Sequence, residues 1–196
     1  MTDKAMGELN YERTKLDHYP TESWVSDIIV PVIKKLRPDI KHIWEPCCGD
    51  GSMSKVLKQH FYVTSSDIKD YGFSNTHIFD FLNKDDDKMN GDAIVTNPPY
   101  GADAQKFIER ALTNTYNACG LVAMILRNEY DCAASRTKLF DRYPFRTKIV
   151  LTTRPRWIPG SKGAPRHNYA WYVWNWLGEV DGPRTVSYAN RHDLNP

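Results

Sequence analysis

Short apolar runs that alternate with stretches of helical spacing constrain this chain more than any other feature of its sequence. His42-Ile43-Trp44-Glu45 reads as a short buried strand, and it breaks at once into the glycine-bearing turn Cys47-Cys48-Gly49-Asp50-Gly51, ahead of a helix over about residues 52–60. The alternation repeats in an apolar run at 61–64 that closes on Asp67, a weaker one at 77–79, a third at 93–97 and a fourth at 121–126, with helical stretches at 102–116 and 135–140. Strands separated by helices favour a parallel sheet covered on both faces, so the expected class is α/β, doubly wound and mostly parallel. Upstream, Trp24, Ile28, Val32 and Leu36 recur near helical spacing, with Thr21 as the expected N-cap and Arg37-Pro38 ending the pattern. In the last third, β-rich runs at 147–153 and 168–174 flank a Pro- and Gly-containing segment, 154–167, which predicts a long antiparallel C-terminal hairpin.

A chain of 196 residues fits one domain. We expect a flexible arm over residues 1–18, then a single domain over 19–196. With 41% hydrophobic, 26% charged and 12% aromatic residues, disorder does not account for the whole sequence. The longest apolar stretch, 28–33, is interrupted by Pro31 and is too short to cross a bilayer, and the polar N-terminus lacks a signal-peptide core, so a cytoplasmic location without a membrane partner is expected. The four cysteines, Cys47, Cys48, Cys119 and Cys132, form no Cys-x-x-Cys pair, which implies neither a zinc site nor a disulfide framework. Asp85-Asp86-Asp87, set between Lys84 and Lys88, reads as a solvated turn rather than a metal site. A net charge of +2 does not by itself mark a nucleic-acid binder; the distribution of the cations must carry that case. No oligomeric state follows from the sequence.

Three features point to chemistry. Glycines in the turn after the first strand let backbone approach a ligand closely, and Asp67, 22 residues after Glu45 at the end of the next strand, offers a carboxylate to ribose hydroxyls. Asn97-Pro98-Pro99-Tyr100 follows the strand at 93–96; two prolines hold the backbone extended and remove two donors, which leaves a row of acceptors beside a flat aromatic face. A planar amino group fits there. The third feature is the segment 154–167, where Arg154, Arg156, Lys162, Arg166 and His167 are unopposed by acids and Trp157 could stack on a base, as a nucleic-acid contact requires. Trp171, Tyr172, Trp174 and Trp176 are read as core and edge packing.

On these residues the chain resembles the class I S-adenosylmethionine-dependent methyltransferases, and within them the DNA amino-methyltransferases, especially small phage-type adenine enzymes, over about residues 19–174. The resemblance implies a Rossmann-like methyltransferase fold, S-adenosyl-L-methionine as cofactor, no metal, and transfer of a methyl group to N6 of adenine in DNA, presented single-stranded or flipped out of the duplex. Glu45, Pro46, Gly49 and Gly51 match the turn that cradles the cofactor's methionine moiety, with Cys47 between them. Asp67 matches the ribose carboxylate, with Ile68 beside it, and Asp80-Phe81 matches a pair beside the adenine. Tyr19-Pro20-Thr21 resembles the N-terminal segment at the amino-acid end, and Asn97, itself placed among the cofactor contacts, shares the catalytic role with Pro98, Pro99 and Tyr100. About 45 residues separate turn and signature, so no recognition domain fits between them, and none is expected after Tyr100. The same tetrapeptide serves enzymes acting on RNA bases or protein glutamine, and a catalytically silent binding module is the remaining alternative.

Overall fold

Eight strands form one sheet in the order β3-β2-β1-β4-β5-β7-β6-β8. The computed structural model describes residues 19–83, 91–101, 103–118, 120–158, 164–178 and 182–194; the arm at 1–18, Cys119, the run Asp85-Asp86-Asp87 and Lys162 lie outside them. The first five strands, β1 (His42–Glu45), β2 (Tyr62–Asp67), β3 (Thr76–Ile78), β4 (Ala93–Thr96) and β5 (Leu121–Arg127), all pair in parallel. Next come β6 (Phe145–Leu151) and β7 (Tyr169–Asn175), an antiparallel hairpin whose second strand inserts between β5 and β6. The sheet is therefore the expected doubly wound, mostly parallel one with an antiparallel C-terminal pair.

Period-two alternation divides the core into two layers. Along β5, Leu121, Ala123 and Ile125 pack on one face with helix α1 (Ser23–Leu36) and helix α2 (Ser52–Leu57). Val122, Met124 and Leu126 pack on the other with α3 (Ala104–Tyr116) and α4 (Thr137–Asp141). A strand covered on both faces loses the polar alternation of a half-exposed one, which is why 121–126 reads as a continuous apolar run. Each of the larger of these side chains, fully buried, stabilises the fold by roughly 1.5–3 kcal/mol.

β7 does the same with larger groups. Its tryptophans are tied to the helices: the Trp171 indole N–H donates to the Val25 carbonyl at 2.9 Å and that of Trp174 to the Leu139 carbonyl at 2.8 Å. They are core residues, in a central strand rather than the terminal one the sequence suggested.

Several expected boundaries move. Helix α2 stops at Leu57 rather than at residue 60, because the N–H groups of His60 and Phe61 both turn back onto the Leu57 carbonyl. Thr21 does not cap α1; the helix begins at Ser23, with Glu22 in the cap position, and the Thr21 hydroxyl is engaged elsewhere. β6 starts two residues before the expected 147, across an irregularity between Phe145 and Thr147. An unexpected strand, β8 (Thr185–Ala189), adds in parallel to β6 at the sheet edge. Among the described residues no helix is long and apolar enough to cross a membrane.

Candidate active site

Parallel strands deliver their C-terminal ends to one edge of the sheet, and the order reverses between β1 and β4, which opens a crevice there. A cavity of about 590 Å³ occupies it, within the range of small-molecule sites. Tyr19, Pro20 and Thr21 line it from the N-terminal side; Glu45, Pro46, Cys47 and Gly49 from the β1 turn; Asp67 and Ile68 from β2; Asp80 and Phe81 from beyond β3; and Asn97, Pro99 and Tyr100 from beyond β4. Gly51 and Pro98 do not line it. Gly51 instead lets the turn pass: its φ is +75°, and a Cβ there would lie 2.3 Å from the Phe73 ring. Pro98 is buried.

The β1 turn is stitched to β2. Cys48 N–H donates to the Ser66 carbonyl at 2.9 Å, and Gly49 N–H to Asp67 Oδ2 at 2.8 Å. Asp67 thus holds the turn's shape and also fronts the cavity. Glu45, at the buried end of β1, accepts from the Ser54 hydroxyl, which lies 2.6 Å from Ser65 Oγ. Burial, reinforced by the charges of Asp67 and Asp50 and opposed by Ser54, pushes the Glu45 carboxyl up to about 8. Burial first, and then Asp67, hold the Cys47 thiol well above its usual range, so it is not a thiolate nucleophile.

The charge of the cavity decides what it can take. Glu45, Asp50, Asp67, Asp80 and Asp103 bring five carboxyl groups to the described lining, which contains no lysine, arginine or histidine. Phe79, Phe81 and Phe107 supply an apolar wall, with Phe81 stacked on Phe107 at 5.4 Å. A ligand with positive charge, hydroxyls and a flat ring fits this wall; a polyphosphate does not. The sequence reading missed Phe79, Asp103 and Phe107, whose place here depends on packing and on the approach of α3. Among the described residues no group of His, Cys, Asp and Glu side chains is placed to hold a metal ion.

Asn97 ties its own turn to the N-terminal segment. Its amide nitrogen lies 3.2 Å from Thr21 Oγ1 and 3.4 Å from the Tyr19 carbonyl oxygen. A carbonyl only accepts, so the NH₂ must face that side, and Oδ1 then faces Tyr100, whose hydroxyl donates to it at 2.5 Å. One lone pair of Oδ1 is engaged and the oxygen can accept a second bond. The Tyr100 ring is not a free platform: it packs against Tyr169 at 5.4 Å and Trp157 at 6.3 Å.

The described residues of the basic segment reach the same edge but do not line the cavity. Arg154 is internally bonded, with Nε donating to Asn168 Oδ1 at 2.8 Å and a terminal nitrogen to the Pro165 carbonyl at 3.1 Å. Arg156 N–H donates to Glu22 Oε2 at 2.7 Å, which latches the segment to the start of α1. Trp157 stacks edge-on against Tyr169 at 4.8 Å, half-buried, and Arg166 is exposed. Arg154 thus braces the segment while staying exposed, and Trp157 packs against Tyr169 while remaining half-buried.

No family model and no curated protein matches the sequence. Among solved structures, a proposed class I S-adenosylmethionine-dependent methyltransferase of Listeria monocytogenes aligns with a TM-score of 0.61 at 14% identity, over 91% of this chain and 68% of that one. A proposed RNA methyltransferase of Pyrococcus horikoshii aligns at 0.64 with 15% identity, over 85% and 91%. A modification subunit of a proposed type I restriction enzyme of Vibrio vulnificus aligns at 0.55 with 14% identity, over 88% of this chain and 46% of the subunit. The chain has the class I methyltransferase fold. At these identities the likeness is one of architecture, and the chemistry must be argued from the residues.

Proposed function

We propose that the chain is an S-adenosylmethionine-dependent methyltransferase that modifies the exocyclic N6 amino group of adenine in DNA. The observation that carries the reading is the meeting of an acidic, cation-free cavity with an Asn97 whose side-chain oxygen is fixed at its edge. The carboxylates of Asp50, Asp67, Asp80 and Asp103 complement the sulfonium and ammonium charges of this cofactor, which supplies an electrophilic methyl group. Asp67 would hold the ribose through the carboxylate capacity not used by Gly49, Phe81 and Asp80 would flank the adenine, and Glu45 and the Tyr19 to Thr21 segment would face the amino-acid end.

Positioning then supplies most of the rate. Asn97 Oδ1 and the Pro98 carbonyl would accept the two amino hydrogens, which turns the nitrogen lone pair toward the cavity and stabilises positive charge as it develops. A base inside a duplex cannot reach such a site, so the target is single-stranded or flipped out. DNA is favoured by the Asn-Pro-Pro-Tyr signature, the basic segment and the fold shared with a restriction-modification subunit. RNA is the second reading, supported by the fold shared with a proposed RNA methyltransferase.

Parallel assays with methyl-labelled cofactor on DNA, RNA and protein test this directly, with the products digested to nucleosides. N6-methyldeoxyadenosine is expected. Label in RNA or glutamine alone would move the reading to another substrate, and no transfer to any would make the chain a binding module.

A further inference from the structure

The last residue of β5 and the first of β7 face each other, because the two strands run in opposite directions: Arg127 pairs with Tyr169. Alternation places Arg127 on the face shared by Ile125, Tyr169, Tyr100 and Trp157, at the edge where β4 delivers Asn97. Its guanidinium lies over the Tyr169 ring at 5.3 Å, and Tyr169 touches Tyr100, which bonds Asn97. Arg127 makes no side-chain hydrogen bond or ion pair among the described residues, and neither does the exposed Arg166. Burial and then the charges of Arg127, Arg166 and Arg154 hold the His167 imidazole below its usual range, against the pull of Glu129, so these cations share one neighbourhood. A guanidinium that keeps its donors unused while stacking on a tyrosine is set to accept an anion.

We infer that Arg127, together with Arg166, grips the phosphodiester beside the target nucleotide, so that Tyr169 links backbone capture to the Asn97 and Tyr100 pair. This rests on the nucleic-acid substrate proposed above and adds Arg127, outside the basic segment, to the Arg166 within it. Arg154, braced within its own segment, is not part of the grip.

The test is the salt dependence of binding of a fluorescent single-stranded oligodeoxynucleotide by wild type, Arg127→Ala, Arg127→Lys and Arg166→Ala. Each alanine variant should flatten the slope of log affinity against log salt by about 0.7, one phosphate contact on a single strand. Arg127→Lys should keep the slope but bind more weakly, since it retains charge and loses the planar stack. Arg166 is exposed, so its variant reads the same patch even if Arg127→Ala fails to fold. Unchanged slopes in a wild type that methylates DNA would overturn the grip alone. A wild type with no salt-dependent binding to the oligonucleotide would overturn the grip and the nucleic-acid reading together.

Discussion

The parallel and antiparallel parts of the sheet meet at one edge and bring opposite chemistry to it. From β1 and β2 come carboxyl groups tied to backbone and serine hydroxyls, as Asp67 is to Gly49 and Glu45 to Ser54. From the β5 and β7 junction come arginines and stacked aromatic rings, as Arg127 is on Tyr169 and Tyr169 on Trp157. Strand direction is the cause: parallel strands end together and leave a crevice to be lined, whereas β7 begins where β5 ends and fills the space beside it. One part lines a cavity with carboxyl groups and no cation among its described residues; the other sets guanidinium groups beside packed aromatic rings. Asn97 stands between them, bonded to the cofactor side through Thr21 and to the aromatic side through Tyr100.

The largest expected difference lies in how the cavity responds to pH. Glu45 has a folded pKa of about 8 against an ordinary 4.5, so between those values the folded state binds the extra proton. Stability is therefore full below about pH 4.5 and falls as pH rises to 8, by roughly 1.4 kcal/mol per pH unit from this group. Glu45→Gln cannot ionise and should lose that slope, so its urea midpoint should gain on wild type between pH 5 and pH 9. Parallel pH profiles would mean that Glu45 ionises without cost and the cavity is not a desolvated acidic pocket.

Asn97→Ala breaks the hinge of the comparison. Turnover should fall about a hundred- to a thousandfold, the effect of losing an acceptor worth about 2.7–4 kcal/mol in a transition state. Cofactor affinity should drop by only about 0.5–1.5 kcal/mol, because the amide contacts to Tyr19 and Thr21 go as well. Asn97→Asp keeps an acceptor toward Tyr100 but sets a second oxygen against the Tyr19 carbonyl, so it should retain partial turnover with weaker cofactor binding. Single-turnover rates and calorimetric affinities for all three proteins decide the matter; an alanine variant as fast as wild type removes Asn97 from the chemistry.

Asp67→Asn should act on affinity alone, weakening cofactor binding by on the order of 1.5–3 kcal/mol while saturated turnover stays near wild type. If calorimetry finds no change, Asp67 serves only the turn.

The smallest effect belongs to Glu22→Ala, which releases the Arg156 N–H from one exposed bond. Proteolysis within 154–167 should quicken a few times, in keeping with about 0.5–1 kcal/mol, and cofactor affinity should hold. Equal cleavage rates would show that the aromatic packing of Trp157 holds the segment by itself.

The parts of this arrangement that were legible in the sequence are those set by local backbone chemistry. The alternation around residues 42–67, the glycine turn and the two prolines after Thr96 each specify a conformation through neighbouring residues, and the cavity forms from them. Arg127 and Glu22 were not legible, since nothing near either announces a partner 42 or 134 positions away along the chain. The place of β7 inside the sheet was hidden too, because a strand rich in aromatics reads alike at the centre and at the edge. β8 escaped notice because four of its five residues are exposed, and a short edge strand carries little apolar pattern.

The most direct test of the account is a calorimetric titration of the wild-type chain with S-adenosylmethionine and, separately, with ATP, which has the same nucleoside but carries anionic charge. The acidic cavity predicts saturable 1:1 binding of S-adenosylmethionine, weakened in Asp67→Asn, and no measurable binding of ATP. Binding of ATP in preference, or of neither ligand, would contradict it.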